Sequence, residues 1–274
     1  MERNKAIDSV AGIMITYMVF THICQHFGYE HSAIYMTLEH IFYFFMPWFF
    51  FKAGMFFKFG DNKTICYKGI KRLLVPFVKY SLIGHICYCF LCYFNGNIDW
   101  SVIFPYRSFL MEGSIPGNLP LWFLLSLFLC RVIFNELQNR KVPIYLVAII
   151  SVLVALMLHK IDFIQPFYVA NVWTGMFFMT MGYFVKKYNL STPPILLLSI
   201  VIYMLSMIYP SFVGMRSNHL YYGSYLLWII YSLAGIVSIN FFCDYFIKRI
   251  EVFAIIGRYS MQIYCMHWIL IIFI

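Results

Sequence analysis

Nine runs of about 20 apolar residues, joined by short polar stretches, leave this chain one kind of solvent to fold in. They fall near 7–28, 34–57, 73–95, 119–137, 143–159, 166–185, 193–211, 221–244 and 252–274. A helix rising ~1.5 Å per residue needs roughly 20 apolar residues to cross the hydrocarbon of a bilayer. There every backbone polar group must be satisfied within the segment, so such runs fold as helices. Composition agrees: 62% of the 274 residues are apolar and 11% charged, with a mean hydropathy of +0.78, whereas soluble domains carry roughly 25% charge. The expected fold is an all-α, polytopic membrane helix bundle with nine spans. The first run has basic residues before it but no small-residue cleavage site after it, so it reads as a retained span. The eight cysteines fall mostly within apolar runs and read as buried free thiols, not a disulfide framework.

The charges set an orientation. One set of joints holds Arg3, Lys5, Lys58, Lys63, Lys68, Lys71, Arg72, Arg140, Lys141, Lys186, Lys187, Lys248, Arg249 and Arg258. The opposite set holds Arg107, Lys160 and Arg216, and Lys52, Lys79 and Arg131 fall within runs. Basic residues accumulate on the cytoplasmic side, so the N-terminus is expected in the cytoplasm. The histidines run the other way: His22, His26, His31, His40, His159 and His219 fall at the outer side, with His85 and His267 nearer mid-membrane. There is no internal repeat, low-complexity tract or linker, so residues 1–274 read as a single domain.

Ionisable side chains within a span are costly and mark functional positions. In the first run, IDSVAGIMITYMVFTHICQHFGY, His22 lies roughly 21 Å along the axis from Asp8, and positions 11, 22 and 26 share a face. Imidazole titrates near neutrality and suits general-base work. Glu39 and His40 enter the second run close to the exit of the first, where a carboxylate holding the far ring nitrogen would fix the tautomer of His22. Lys52, further along, reads as snorkelling to the inner interface or as a phosphate contact, and Lys68, Lys71 and Arg72 stand at that inner surface. Ser260, Tyr264 and His267 share one helix face at spacings of four and three, so they can line a cavity. The His22–His26 spacing also admits a zinc site completed by His31, Glu39 or His40, but no third ligand is fixed by spacing, and no bound metal is expected.

Several of these stretches resemble the acyltransferase-3 family of integral membrane enzymes. Asp8, Gly12 and His22 match its opening Asp-x-x-(Arg/Lys)-x10-His helix, with Ala11 where the family carries a basic residue. HIFYFFMPWFFFKAG is similar to its second helix through His40, Pro47 and Gly54, with Ala53 in place of Ser. KRLLVPF and PLWFL, the latter with Trp122, resemble the segments entering the third and fourth spans. GRYSMQIYCMH matches Gly-x-x-Ser-(Leu/Met)-x-Ile-Tyr-x-x-His at Gly257, Ser260, Ile263, Tyr264 and His267. The family usually has ten spans, so the resemblance implies a chain that ends one helix early.

The resemblance implies an O-acyltransferase of the bacterial cytoplasmic membrane. It would move an acetyl or similar short acyl group from acyl-coenzyme A to a hydroxyl of a glycan, a lipid-linked sugar or another small acceptor. The catalytic residues expected are His22 with Glu39 or His40. Lys52, Lys68, Lys71 and Arg72 would hold the donor, and Trp122, Ser260, Tyr264 and His267 the acceptor. No permanently bound cofactor and no nucleic acid is expected; membrane lipid is the other partner. A solute transporter with proton-relaying histidines and a catalytically degenerate family member, suggested by Ala11 and Ala53, are the alternatives. The topology is testable in a background stripped of native cysteines. A cysteine at position 63 should resist an impermeant thiol reagent added outside intact cells, and one in the 96–118 loop should react.

Overall fold

The computed structural model describes residues 4–163, 165–190, 192–247 and 250–274; Arg3, Lys248 and Arg249 of the charge argument lie outside them. All nine apolar runs are helical over most of their length. Among the described residues, four helices are long and apolar enough to cross a membrane by length and composition: Lys5–His26, Asn62–Phe94, Tyr106–Asn139 and Tyr225–Ile247.

Helix α1 (Lys5–His26) starts where the Asn4 side chain accepts from the Ala6 and Ile7 amides. That caps two of the free donors every helix N-terminus leaves. The run expected as one span over 34–57 is instead two helices, α2 (Ala33–Phe42) and α3 (Phe45–Met55), broken at Tyr43–Phe44. The cause is Pro47: its ring collides with the carbonyl four residues back, at Tyr43, and it has no amide hydrogen to give. The joint expected over 58–72 is itself largely helical. Helix α4 (Asn62–Gly69) passes through a π-helical turn, Ile70–Leu74, directly into α5 (Val75–Phe94).

The loop that follows carries two short helices, α6 (Trp100–Ile103) and α7 (Tyr106–Glu112), and then a 3-10 turn, Pro116–Leu121. Next come α8 (Trp122–Asn139), α9 (Ile144–Lys160), α10 (Phe167–Tyr188) and α11 (Pro193–Ile208). A small antiparallel hairpin, β1 (Phe212–Gly214) with β2 (His219–Tyr222), joins α11 to α12 (Tyr225–Phe242). The last run is also broken, at Tyr259, into α13 (Glu251–Arg258) and α14 (Ser260–Ile271).

Contacts sort the joints into two ends. At the Lys5 end, Asn135 bonds both the amide and the carbonyl of Gly60, Trp48 donates to Asn240 at 2.9 Å, and Lys5 faces Glu251. At the His22 end, Asn118 donates to the Cys265 carbonyl, Tyr264 to the Pro120 carbonyl, and Asn171 to the Arg216 carbonyl. Helix α1 is central, with Val10, Ala11 and Met14 fully buried, and α13 and α14 pack along it.

Two of the helix contacts are backbone on backbone. A Cβ on Gly12 would sit 2.0 Å from the Phe253 carbonyl oxygen, and one on Gly257 1.8 Å from that of Asp8. Helices α3 and α10 meet the same way, Gly54 against Met179 and Gly182 against Phe51. Within a membrane, helix association relies on such close packing, since lipid tails are as apolar as the side chains. Gly12→Val and Gly257→Val should therefore abolish the monodisperse peak in detergent size-exclusion chromatography. Gly60→Ala, whose new methyl would meet nothing closer than 3.8 Å, should leave that peak unchanged.

Candidate functional site

At the His22 end the bundle opens into a cavity of about 810 Å³. Its walls are aromatic and polar together: Tyr17, Tyr35 and Trp122 face it along with His22, Glu39 and Arg216. A second cavity of about 80 Å³, almost wholly apolar, shares Met18, Met46 and Tyr264 with the first and continues along α1 to Ile15, Phe49 and Ser260.

His22 stands one turn before the end of α1. Its Nδ1 lies 3.2 Å from the Gln25 Oε1, and the Gln25 Nε2 donates to the Tyr35 hydroxyl at 3.2 Å. The other face of the ring stacks on His267 at 5.3 Å and 27°, with Trp268 edge-on at 5.2 Å. His267 is 4% exposed; its Nδ1 lies 2.8 Å from the Tyr264 carbonyl oxygen, one turn back in α14.

Glu39 and His40 do not orient His22 directly. Glu39 accepts from the Tyr222 hydroxyl at 3.4 Å. His40 turns its Nδ1 to the Met36 carbonyl at 2.7 Å and stands 6.0 Å from the Tyr222 ring. Tyr35 precedes Glu39 by one turn on α2 and meets α1 first, through Gln25. The direct neighbours of His22 are thus Gln25, His267 and Trp268. Polar residues at a helix end read as interfacial in the sequence, which hid Gln25 and Tyr35.

Of the residues expected to hold the acceptor, Trp122 and Tyr264 are in the cavity wall. Ser260 lies in the smaller cavity, and His267 touches the His22 ring instead. Of those expected to hold the donor, Lys68, Lys71 and Arg72 are exposed on α4 and the π-helical turn, and the Lys52 ammonium lies 5.3 Å over the Trp48 ring. Arg131, on α8, stacks over Phe57 at 5.1 Å. For the zinc alternative, the His22 Nδ1 is engaged by Gln25 and the His26 ring faces Phe27 at 5.1 Å. Among the described residues no three His, Cys, Asp or Glu side chains converge as ligands would.

Arg216 lines the cavity, and the sequence reading gave it no role there. It sits in the turn of the hairpin, pairs with Glu112, lies 3.5 Å from the Ser114 hydroxyl and stacks 5.5 Å over Phe167. Burial pulls its guanidinium below the ordinary value, and the Glu112 carboxylate works against that. Its signal in the sequence was its position, as one of three cations on a side that otherwise excludes them. The hairpin is bolted down by buried polar groups. Asn218 accepts from Thr174 at 2.8 Å and from Tyr225 at 2.5 Å, and Asn171 is bonded by Ser126 at 2.6 Å.

A stacked histidine pair, His267 buried and His22 half-buried, beside a wide polar cavity inside a bundle of apolar helices, defines a membrane protein built around a reaction or binding site within its own interior. The family model described as the acyltransferase domain matches residues 4–274, and the chain belongs to this acyltransferase-3 family. The resemblance read from Asp8, His22 and the Gly257–His267 motif is thereby borne out, and by class the protein is an integral membrane acyltransferase. No curated protein and no solved structure matches the chain.

Proposed function

We propose that this protein transfers an acetyl or similar short acyl group from acyl-coenzyme A to a hydroxyl of a sugar-bearing acceptor, with His22 as general base. The observation that carries the reading is the His22 imidazole in the wall of the 810 Å³ cavity, flanked by Tyr17, Tyr35 and Trp122. Aromatic faces interleaved with Glu39 and Arg216 suit a polyhydroxylated acceptor, whose C–H faces stack while its hydroxyls take hydrogen bonds. The acceptor hydroxyl loses its proton to His22 as its oxygen attacks the thioester carbonyl. The C–S bond then breaks, and His22 returns the proton to the departing thiolate, leaving an ester and free coenzyme A. The base must therefore be neutral at the start of each cycle.

On this reading the chain crosses the bacterial cytoplasmic membrane nine times with its N-terminus inside. The donor's phosphates rest on Lys52, Lys68, Lys71 and Arg72. Its pantetheine arm enters between the helices, and the small apolar cavity at Met18, Met46 and Phe49 receives the acyl end.

Membranes incubated with acetyl-coenzyme A labelled in the acetyl group should pass label to a glycan or lipid-linked sugar fraction. His22→Ala should slow that transfer by ~10²–10⁴-fold, the range of general-base catalysis, with donor binding and membrane insertion retained. His26→Ala should have a far smaller effect, and zinc chelators none. Wild-type turnover by His22→Ala would overturn the assignment. Charge reversal of Lys71 and Arg72 together should raise the donor KM strongly and leave the acceptor KM nearly unchanged; equal donor KM in both proteins would remove the donor site from that face.

A further inference from the structure

We infer that Gln25, aligned by Tyr35, is the positioning residue that holds His22 in the tautomer able to act as base. The inference rests on the proposed role of His22 and adds how that role is set. The Gln25 amide nitrogen donates to the Tyr35 hydroxyl oxygen at 3.2 Å. The amide is thereby fixed with its carbonyl oxygen turned to the His22 Nδ1 at 3.2 Å. A carbonyl oxygen takes a proton and cannot give one, so Nδ1 carries the hydrogen and the bare lone pair is on Nε2. A neutral imidazole has one donor and one acceptor nitrogen, and its partner decides which is which.

Nothing on the other side of the ring competes. His267 spends its Nδ1 on the Tyr264 carbonyl and meets His22 by stacking, and its Nε2 has no partner among the described residues. The chain Tyr35–Gln25–His22 thus links two neighbouring helices. The uncharged amide fixes the tautomer without adding a negative charge against the ring, so the neutral form of His22 is kept.

The test is the pH profile of kcat/KM for acyl transfer by the full-length protein in lipid nanodiscs. Gln25→Leu should lower kcat by ~10-fold or more, inside the range that general-base catalysis spans, with donor KM unchanged. Tyr35→Phe, which frees the amide to rotate, should fall between Gln25→Leu and wild type. Gln25→Glu should stay active but move the acid limb of the profile to higher pH, because a carboxylate favours the protonated imidazole and the base works only when neutral. The other groups facing this chain, namely His267, Trp268, Arg216, Tyr222 and Glu30, are the same in all these proteins, so a shift in Gln25→Glu comes from the new carboxylate. An unshifted limb in Gln25→Glu overturns the inference even where Gln25→Leu does not fold. So does wild-type kcat in Gln25→Leu, provided His22→Ala is inactive; activity in His22→Ala would instead overturn the assignment of the base itself.

Discussion

The site depends on how closely two helix backbones approach each other at Gly12 and Gly257. With no side chain between them, the carbonyls of Asp8 and Phe253 lie where a methyl group would otherwise be, and this fixes one register between α1 and the last run. The two segments run in the same direction. His22 lies ten residues beyond Gly12, and His267 ten beyond Gly257, each roughly 15 Å further along its helix. Equal spacing from a common contact brings the two imidazoles to one level, where they stack at 5.3 Å. The glycines are distant from the histidine pair, yet they set the level at which it forms. A shift of one residue along either helix would turn its histidine by ~100° and separate the pair.

Above that level the bundle changes character. Regular helices give way to the α2–α3 break, the 3-10 turn at Pro116–Leu121 and the hairpin at Phe212–Tyr222. Non-helical backbone at this depth is tolerated only where it is buried in protein or lines a cavity, and here it does both. Pro47, Pro120 and the hairpin residues Val213 and Arg216 all border the 810 Å³ space. The irregular backbone is thus what gives a packed bundle room for a substrate.

The sequence carried much of this. Run length located the apolar stretches that became helical, although it joined α2 to α3 and read α4, α6 and α7 as loop; His22 was singled out by the cost of an imidazole in a span, and Gly257 to His267 announced a shared face. The break in the second run was also readable, since Pro47 points four residues back to Tyr43, but hydropathy summed over a window smooths such an interruption away. The hairpin was not readable: strands of three and four residues are too short to show a period of two. Nor were the partners of His22. Glu39 and His40 looked close on paper, while the side chain bonded to the ring is Gln25, itself bonded to Tyr35, two residues whose types are ordinary at any membrane surface. The partner of a polar side chain is a fact of tertiary structure, and periodicity cannot name it.

The polar bolt behind the hairpin bears on how the protein is made. Asn171 and Thr174 belong to α10, but Arg216, Asn218 and Tyr225, which they bond, come 44 to 51 residues later in the chain. At ~5–20 residues per second, α10 leaves the ribosome roughly two to ten seconds before its partners exist. During that interval the Asn171 oxygen can already accept from Ser126 of the earlier α8, but the Asn171 amide nitrogen and the Thr174 hydroxyl still lack their final partners. The wall of the cavity is among the last parts of this protein to be assembled.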